Sequence, residues 1–312
     1  MTFDDLNSLG EKREPFLFIS DFGAKNLKVI PLGDLDSHDV EYSTTKNYSL
    51  KPHADFFDKQ TIPFGEYKKK FDSVIERIKA GDTYLLNLTQ PTNVKSEMSL
   101  KEMFKCANAR YKLRYRDEFV CFSPEQFVSI KGTKIATFPM KGTIDASIPN
   151  AKELILNSPK EMAEHVMVVD LLRNDLSIMA KDVKVEEFRY ITKIEAGDKE
   201  LLHVSSHVSG DVGSDWHAKI GDILKTLLPA GSISGAPKKS TLDIIDEVEG
   251  YERGYFSGVF GVYDGKTFDS AVMIRFVEKT EDGYIYKSGG GITLESDAKS
   301  EYEELLNKVY LP

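Results

Sequence analysis

One lysine stands in the stretch FPMKGT, residues 138–143, between an apolar run and a Gly-Thr pair. An amine attacks carbon only when it is neutral, so a nucleophilic Lys141 needs burial or nearby positive charge to lower its pKa from about 10.4. The apolar residues before it would exclude water. A lysine near a strand end more often extends its amine into solvent. Both interpretations stay open from this stretch alone.

A carboxyl group is predicted near the same lysine. The segments FVSI and TKIATF flank Lys131-Gly132, a short polar pair of the kind that closes a hairpin. The hairpin brings Glu125, in FSPEQF, toward the end of the sheet where Lys141 lies. Because Pro139 interrupts the ladder, the turn does not fix whether the two side chains face each other.

Four glutamates recur at a spacing that places them in pairs on helix faces. Glu161 and Glu164 form one pair, and Glu301 and Glu304 form the other, with Lys308 one turn further on. Each pair is alternatively an ordinary solvated face. Convergence of the two helices would create a site for a hard cation, and carboxylates without sulfur or imidazole favour Mg²⁺.

Two histidines do not predict a zinc site. His203 and His207 share a face of the strand pattern LLHVSSHVSG, but an extended strand separates them by ~13 Å. One ion cannot bind both.

Arginine and glycine residues suggest an anionic ligand. Arg275 lies within the apolar run AVMIRFV, where an unpaired guanidinium is costly, so a carboxylate from the protein or from a ligand is expected beside it. The segments AGSISGAPKKS and SGGGIT present backbone N–H groups to an anion or form tight turns. GSISGA lacks the G-x-G-x-x-G order of a dinucleotide site.

These residues have to be positioned by a mixture of strands and helices. Helices are predicted over PFGEYKKKFDSVIERIK, which Gly81 stops, from the Ser158-Pro159 cap to Leu176, and over the last segment, capped near Ser296. Strands are predicted over PFLFISDF, TYLLNLTQPTNV, LLHVSSHVSG, GYFSGVFGVY, TFDSAVMIRFVE and YIYKSGGGIT. Because the two kinds do not alternate regularly, we expect an α+β fold with large antiparallel sheets flanked by helices.

Composition narrows the class of protein. The 312 residues carry a formal net charge of −9, which disfavours binding to nucleic acid. No apolar run is long enough for a membrane span, and no leader is recognisable at the start. The two cysteines fit a reducing compartment. Without repeats or long linkers, we expect one cytoplasmic domain over residues 1–312.

Several motifs in one order resemble the chorismate-utilising enzymes, which include anthranilate, aminodeoxychorismate, isochorismate and salicylate synthases. The matching segments are GDTYLLNLT, FSPEQF, FPMKGT, AEHVMVVDLLRNDL, LLHVSSHVSG, LPAGSISGAPK, RGYFSGVFG, VMIR, GGGI and EYEELLNK. The resemblance implies a catalytic core over residues 65–312, a shortened part over residues 1–64, and a deep site for chorismate and Mg²⁺.

The resemblance also implies roles for individual residues. The metal would be held by Glu164 and Glu304 directly and by Glu161 and Glu301 through water. His203 would lie near the ring. The predicted substrate-binding residues are Thr143, Arg275, Lys308 and the backbone at Gly289 and Gly291.

Two positions sort the family by reaction. Family members that add water carry a lysine at the position of Leu85, and an aliphatic side chain takes no proton. Anthranilate synthases usually have alanine at the position of Lys141, whereas FPMKGT is similar to the motif of the branch that aminates C4. The resemblance therefore implies covalent addition of Lys141 to the ring, with Glu125 as the acid for the departing hydroxyl.

The reaction that the resemblance implies needs a partner protein that supplies ammonia. Ammonia would come from a separate glutamine amidotransferase subunit, and the product would feed 4-aminobenzoate and folate synthesis.

The short N-terminal part predicts no feedback inhibition by tryptophan. Phe256 replaces a tyrosine that often binds the pyruvyl group in the family, while Tyr255 should face the other way on its strand. The alternatives are anthranilate synthesis or another amination, and a non-catalytic chorismate-binding subunit.

Overall fold

The computed structural model describes residues 1–45, 58–196 and 199–312, without the side chains of residues 194–196 and 199. The helices in these residues are α1 Phe3–Glu11, α2 Phe64–Lys79, α3 Leu100–Cys106, α4 Ala151–Asn157, α5 Pro159–Ser177, α6 Ile220–Leu227, α7 Gly231–Ser234, α8 Lys238–Glu249 and α9 Ala298–Asn307. The strands are β1 Phe16–Ser20, β2 Leu27–Pro31, β3 Val40–Ser43, β4 Asp58–Gln60, β5 Leu85–Lys95, β6 Tyr111–Tyr115, β7 Phe119–Ser123, β8 Gln126–Lys131, β9 Lys134–Thr137, β10 Met140–Asp145, β11 Lys181–Ala196, β12 Lys199–Asp211, β13 Gly235–Ala236, β14 Val259–Tyr263, β15 Phe268–Val272, β16 Phe276–Thr280 and β17 Gly283–Ile292.

Two large antiparallel sheets organise these strands. The first has the order β10-β12-β9-β8-β15-β14-β1-β2, with β11 also paired to β12. The second has the order β13-β5-β17-β16-β7-β6-β3, with β4 also paired to β5. Helices α2, α8 and α9 pack against β5 and β17, and α5 packs against β10 and β12. The α+β fold with large antiparallel sheets is confirmed.

The helices begin and end close to the predicted residues. Helix α2 buries Tyr67, Phe71 and Val74 at helical spacing. Helix α5 starts with Pro159, after the Ser158 hydroxyl accepts a hydrogen bond from the third residue of the helix. Helix α9 is capped by Asp297, one residue beyond the predicted cap.

Two strand predictions are wrong in part. TFDSAVMIRFVE is not one strand, because the chain leaves the first sheet after Val272 and enters the second at Phe276. Arg275 lies between them with φ +53°, a left-handed conformation that interrupts a strand. In GYFSGVFGVY only Val259–Tyr263 is a strand, since the chain turns before it, where Ser257 has φ +63°.

The layer between the sheets is a hydrophobic core. Leu17 and Phe260 reach it from the first sheet, and Tyr111 and Phe276 reach it from the second. Phe256 is buried in the same cluster, so it packs as a core residue. Tyr255 contacts that cluster too and stacks on Phe119 at 5.2 Å, so the prediction that the two neighbours face opposite ways is wrong.

A second cluster of buried residues lies where helices cover the first sheet. Trp216 is fully buried where α1 and α6 cover the first sheet. In the described ranges, no helix is both long and apolar enough to cross a membrane.

Candidate active site

A bulge in the first sheet carries Lys141. Met140 pairs with Ser205 and Thr143 pairs with His203, so two residues of β10 oppose one residue of β12. The second of the two is Gly142, whose φ of +89° suits glycine. Such a bulge bends the strand and re-aims the neighbouring side chain. Local backbone irregularity, rather than strand alternation, therefore directs the lysine.

The Lys141 amine extends toward the second sheet. Its Nζ lies 3.3 Å from Oε2 of Glu164, and the lysine side chain is 25% exposed. A Cβ built on Gly291 would lie 3.1 Å from the same Nζ and 3.2 Å from Cδ1 of Leu85. The missing side chain at Gly291 thus makes room for the amine between the two sheets.

Glu125 is fixed at the junction of β7, β8 and β15. Its N–H donates to the Ser123 hydroxyl at 3.0 Å, and its carbonyl accepts the N–H of Val272 at 3.2 Å. Ser232 donates its hydroxyl hydrogen to Oε1 at 2.5 Å. Burial raises the pKa of the Glu125 carboxyl, although Ser232 and the charge of Lys141 act in the opposite direction. A raised pKa suits a group that has to donate a proton.

Glutamates of α5 and α9 interact across the site. Burial and then the neighbouring Glu164 raise the pKa of Glu161, and Glu304 on the other helix adds to this effect. Burial also raises the pKa of Glu301, as does Glu304, while Lys141 lowers it. The two helices therefore bring their carboxylates within electrostatic reach of each other and of the lysine.

The carboxylates fit Mg²⁺ by chemical type. Burial is the larger cause of the raised pKa values of Glu161 and Glu301, and the neighbouring carboxylates add repulsion that a bound cation would relieve. Across the described ranges, however, no three side chains of the metal-binding types are arranged to hold an ion by themselves. Mg²⁺ commonly keeps several waters and takes only one or two carboxylates plus the substrate. The structure thus provides oxygen donors without a closed cage.

Lys308 links α9 to the glycine run of β17. Its Nζ donates to the carbonyl of Gly289 at 2.8 Å and lies 2.6 Å from Oε1 of Glu304. Against the effect of burial, this ammonium lowers the pKa of the Glu304 carboxyl. Beyond Lys287 the described ladder pairs β17 with β5 alone, so the other edge of the glycine run faces the site.

Arg275 has an unused donor. Its Nε is buried and has no hydrogen-bond partner among the described residues, and its guanidinium carbon lies 5.4 Å from the centre of the Tyr310 ring. A buried guanidinium donor without a partner suits an anionic ligand.

His203 faces Thr143 across the β10–β12 ladder. The Thr143 hydroxyl lies 3.4 Å from Nδ1 of the ring. Burial, with the charge of Arg275, lowers the pKa of His203 to about 4. The imidazole is therefore neutral near pH 7. His207 stacks on Phe138 at 4.8 Å, not on His203.

Two side chains that sequence reasoning did not single out lie beside this group. Ser232 bonds Glu125, and it lies in the GSISGAPK motif that was noted only for its backbone. His165 follows Glu164 and is fully buried, with Nε2 2.7 Å from the Ser206 hydroxyl. A histidine within an apolar helical pattern gave no signal of this contact.

Comparisons with known proteins agree with the motifs. The family model described as chorismate binding enzyme matches residues 28–311. An "uncharacterized PabA-like protein" of Haemophilus influenzae is 45% identical over 313 residues, covering 99% of this chain and 95% of that protein. Aminodeoxychorismate synthase component 1 of Bacillus subtilis is 30% identical over 336 residues, covering 99% of this chain and 68% of the relative.

A solved structure shares the fold. The putative 2,3-dihydroxybenzoate-specific isochorismate synthase DhbC of Bacillus anthracis superposes with a TM-score of 0.71 at 20% identity, covering 98% of this chain and 87% of that chain. The chain belongs to the family of chorismate-binding enzymes.

Proposed function

We propose that this chain aminates chorismate at C4 through a covalent intermediate on Lys141, giving 4-amino-4-deoxychorismate. The observation that carries the proposal is the Lys141 amine on its bulge, 3.1 Å from where a Gly291 side chain would begin. The aliphatic Leu85 beside it supports amination over addition of water, since it takes no proton. The B. subtilis relative bears the name of this activity.

The reaction divides between the lysine and the acid. The amine of Lys141 forms a bond to ring C2, the double bond shifts, and the C4–O bond breaks. Glu125 protonates the departing hydroxyl, which leaves as water. Ammonia then forms a bond to C4 and expels the lysine from C2, which restores the free amine. His203, neutral near pH 7, would contact the ring.

The substrate would be held at its two carboxylates. The unpaired donor of Arg275, with Lys308 and the backbone at Gly289 and Gly291, would bind the pyruvyl carboxylate. Thr143 would contact substrate from the facing strand. When bound between Glu164 and Glu304, with Glu161 and Glu301 holding its waters, Mg²⁺ would neutralise the ring carboxylate.

Ammonia would be supplied by a separate glutamine amidotransferase subunit, and the product would enter 4-aminobenzoate and folate synthesis. The assay combines the purified chain with chorismate, Mg²⁺ and ammonium, with and without an aminodeoxychorismate lyase, and identifies products by mass and retention time. Appearance of 4-aminobenzoate only with the lyase is the expected result. Anthranilate would overturn C4 amination, and no product even with an amidotransferase would favour a binding role.

A further inference from the structure

The short helix α7 places one hydroxyl on the proposed acid. In its four residues, Gly231, Ile233 and Ser234 are buried, while Ser232 is half-buried and donates to Oε1 of Glu125 at 2.5 Å. The GSISGAPK motif thus presents a side chain, rather than an array of backbone N–H groups, to the neighbouring carboxyl.

A buried ion pair fixes α7 from behind. Nη1 of Arg253 donates to the carbonyl of Ile233 at 3.0 Å, and Nη2 lies 2.7 Å from Oε1 of Glu249. These two side chains are 2% and 1% exposed. Glu249 also accepts the N–H of Thr89 on β5 at 2.7 Å. Breaking such a pair is costly, so the helix and its Ser232 hydroxyl are held in one place.

We propose that Ser232 is a positioning residue that keeps Oε1 of Glu125 as a hydrogen-bond acceptor and so places the transferable proton on Oε2. The inference rests on the proposed function. A protonated carboxyl has one carbonyl oxygen and one O–H group. Because Oε1 accepts from the serine, the O–H belongs on the other oxygen.

The two carboxyl oxygens of Glu125 have different roles in the proton transfer. Oε2 gives its proton to the hydroxyl oxygen on C4 as the C4–O bond breaks, and water leaves. The carboxylate that remains keeps the Ser232 hydrogen bond, which stabilises its charge. When ammonia adds at C4 and the bond from C2 to Lys141 breaks, the carboxylate takes a proton from the incoming nitrogen.

The charges facing Glu125 set the sign of the pH effect. Burial raises the pKa of the carboxyl, Ser232 opposes this most strongly, and the cations Lys141, Lys308 and Arg275 oppose it further. Removing the serine hydroxyl removes the largest opposing contribution. The pKa of Glu125 therefore rises in Ser232→Ala, and the protonated acid persists to higher pH.

The test compares two serines of one helix. Ser234 donates to the carbonyl of Ala230 at 2.8 Å, within the helix and away from the acid. In Ser232→Ala we expect the alkaline limb of the kcat profile to move to higher pH. We also expect kcat to fall about tenfold, less than the roughly 10²- to 10⁴-fold loss on removing a general acid. Ser232→Thr should restore the limb, and Ser234→Ala should leave it unchanged.

An infrared titration separates this proposal from the proposed function. The carbonyl band of the protonated carboxyl is assigned by its loss in Glu125→Gln and followed against pH without turnover. An upward shift of its midpoint in Ser232→Ala, with none in Ser234→Ala, supports the positioning role even if the product assay fails. An unchanged midpoint and alkaline limb in Ser232→Ala would overturn it.

Discussion

The two sheets contribute to the site through strands that differ in regularity. On the first, β10 carries Lys141 on a bulge where its pairing to β12 shifts register. On the second, β17 runs against β5 from Tyr284 to Ile292 without a shift, and Gly289 and Gly291 remove the side chains from this regular strand. An irregular strand therefore places a reactive side chain, and a regular strand of glycines leaves the space into which it reaches.

The largest expected effect comes from the bulged strand. Lys141→Ala removes the proposed nucleophile, so C4 amination should fall below detection, leaving at most slow amination at C2. Chromatography coupled to mass spectrometry measures both, since the two isomeric products share one mass and are separated by retention time. Lys160→Ala is the matched control, because Lys160 also approaches Glu164, at 3.9 Å, but from an exposed position on the same helix. Unchanged product and rate in Lys141→Ala would remove the nucleophile.

Substitutions at two glycines of β17 should distinguish the space that Lys141 needs from the stability of the fold. A Cβ at Gly291 meets the flexible end of Lys141, whereas one at Gly289 meets the carbonyl oxygen of Leu88 at 2.4 Å. Gly291→Ala should therefore fold and lose on the order of 10²-fold in kcat/KM through misplacement of the amine. Gly289→Ala should instead lower the melting temperature, followed by the fluorescence of Trp216. Equal effects of the two on activity and stability would refute this division.

A smaller effect is expected at the carboxylates of α5 and α9. Glu304→Gln removes a proposed Mg²⁺ ligand and should raise the half-saturating Mg²⁺ concentration by about tenfold or more. The adjacent exposed Glu303→Gln should leave it unchanged. A titration of turnover against Mg²⁺ measures both variants, and an unaltered response in Glu304→Gln would reject the ligand assignment.

The last expected effect is on stability rather than on turnover, and it concerns His165 of α5, which bonds Ser206 on β12. Burial lowers the pKa of His165 to about 4, below its ordinary value of 6.5. Between these values the unfolded chain therefore binds more protons than the folded chain does. The contribution of the neutral, buried His165 to the free energy of unfolding is therefore fully present above pH 6.5. It declines by on the order of 3 kcal/mol as the pH falls to about 4.

His165→Gln should flatten this part of the pH profile, measured by urea unfolding with Trp216 fluorescence. The exposed His38→Gln should keep the wild-type slope. A slope that persists in His165→Gln would assign the titration to another group.

The sequence predicts local elements better than the contacts between them. Helix α5 was predictable because Ser158 and Pro159 form a local start signal, and the hairpin near Gly132 because its turn is short. The break at Arg275 was not, since the change of sheet depends on pairing with distant strands.

The site shows the same division. Motif resemblance named Lys141 and Glu125, and the structure places their side chains within electrostatic reach of each other. The resemblance did not predict the bulge, because the register of β10 is set by a partner strand about 60 residues later in the chain, as in the pair of Thr143 with His203. Nor did it name Ser232, whose partner Glu125 is 107 positions away in the chain.

The covalent role of Lys141 is tested most directly by mass spectrometry of the protein after incubation with chorismate and Mg²⁺ without ammonium. Without the second nucleophile, the adduct should accumulate as chorismate less one water. Peptide mapping should locate it at Lys141, and ammonium should discharge it. An unmodified lysine in a preparation that forms 4-amino-4-deoxychorismate would contradict the covalent route.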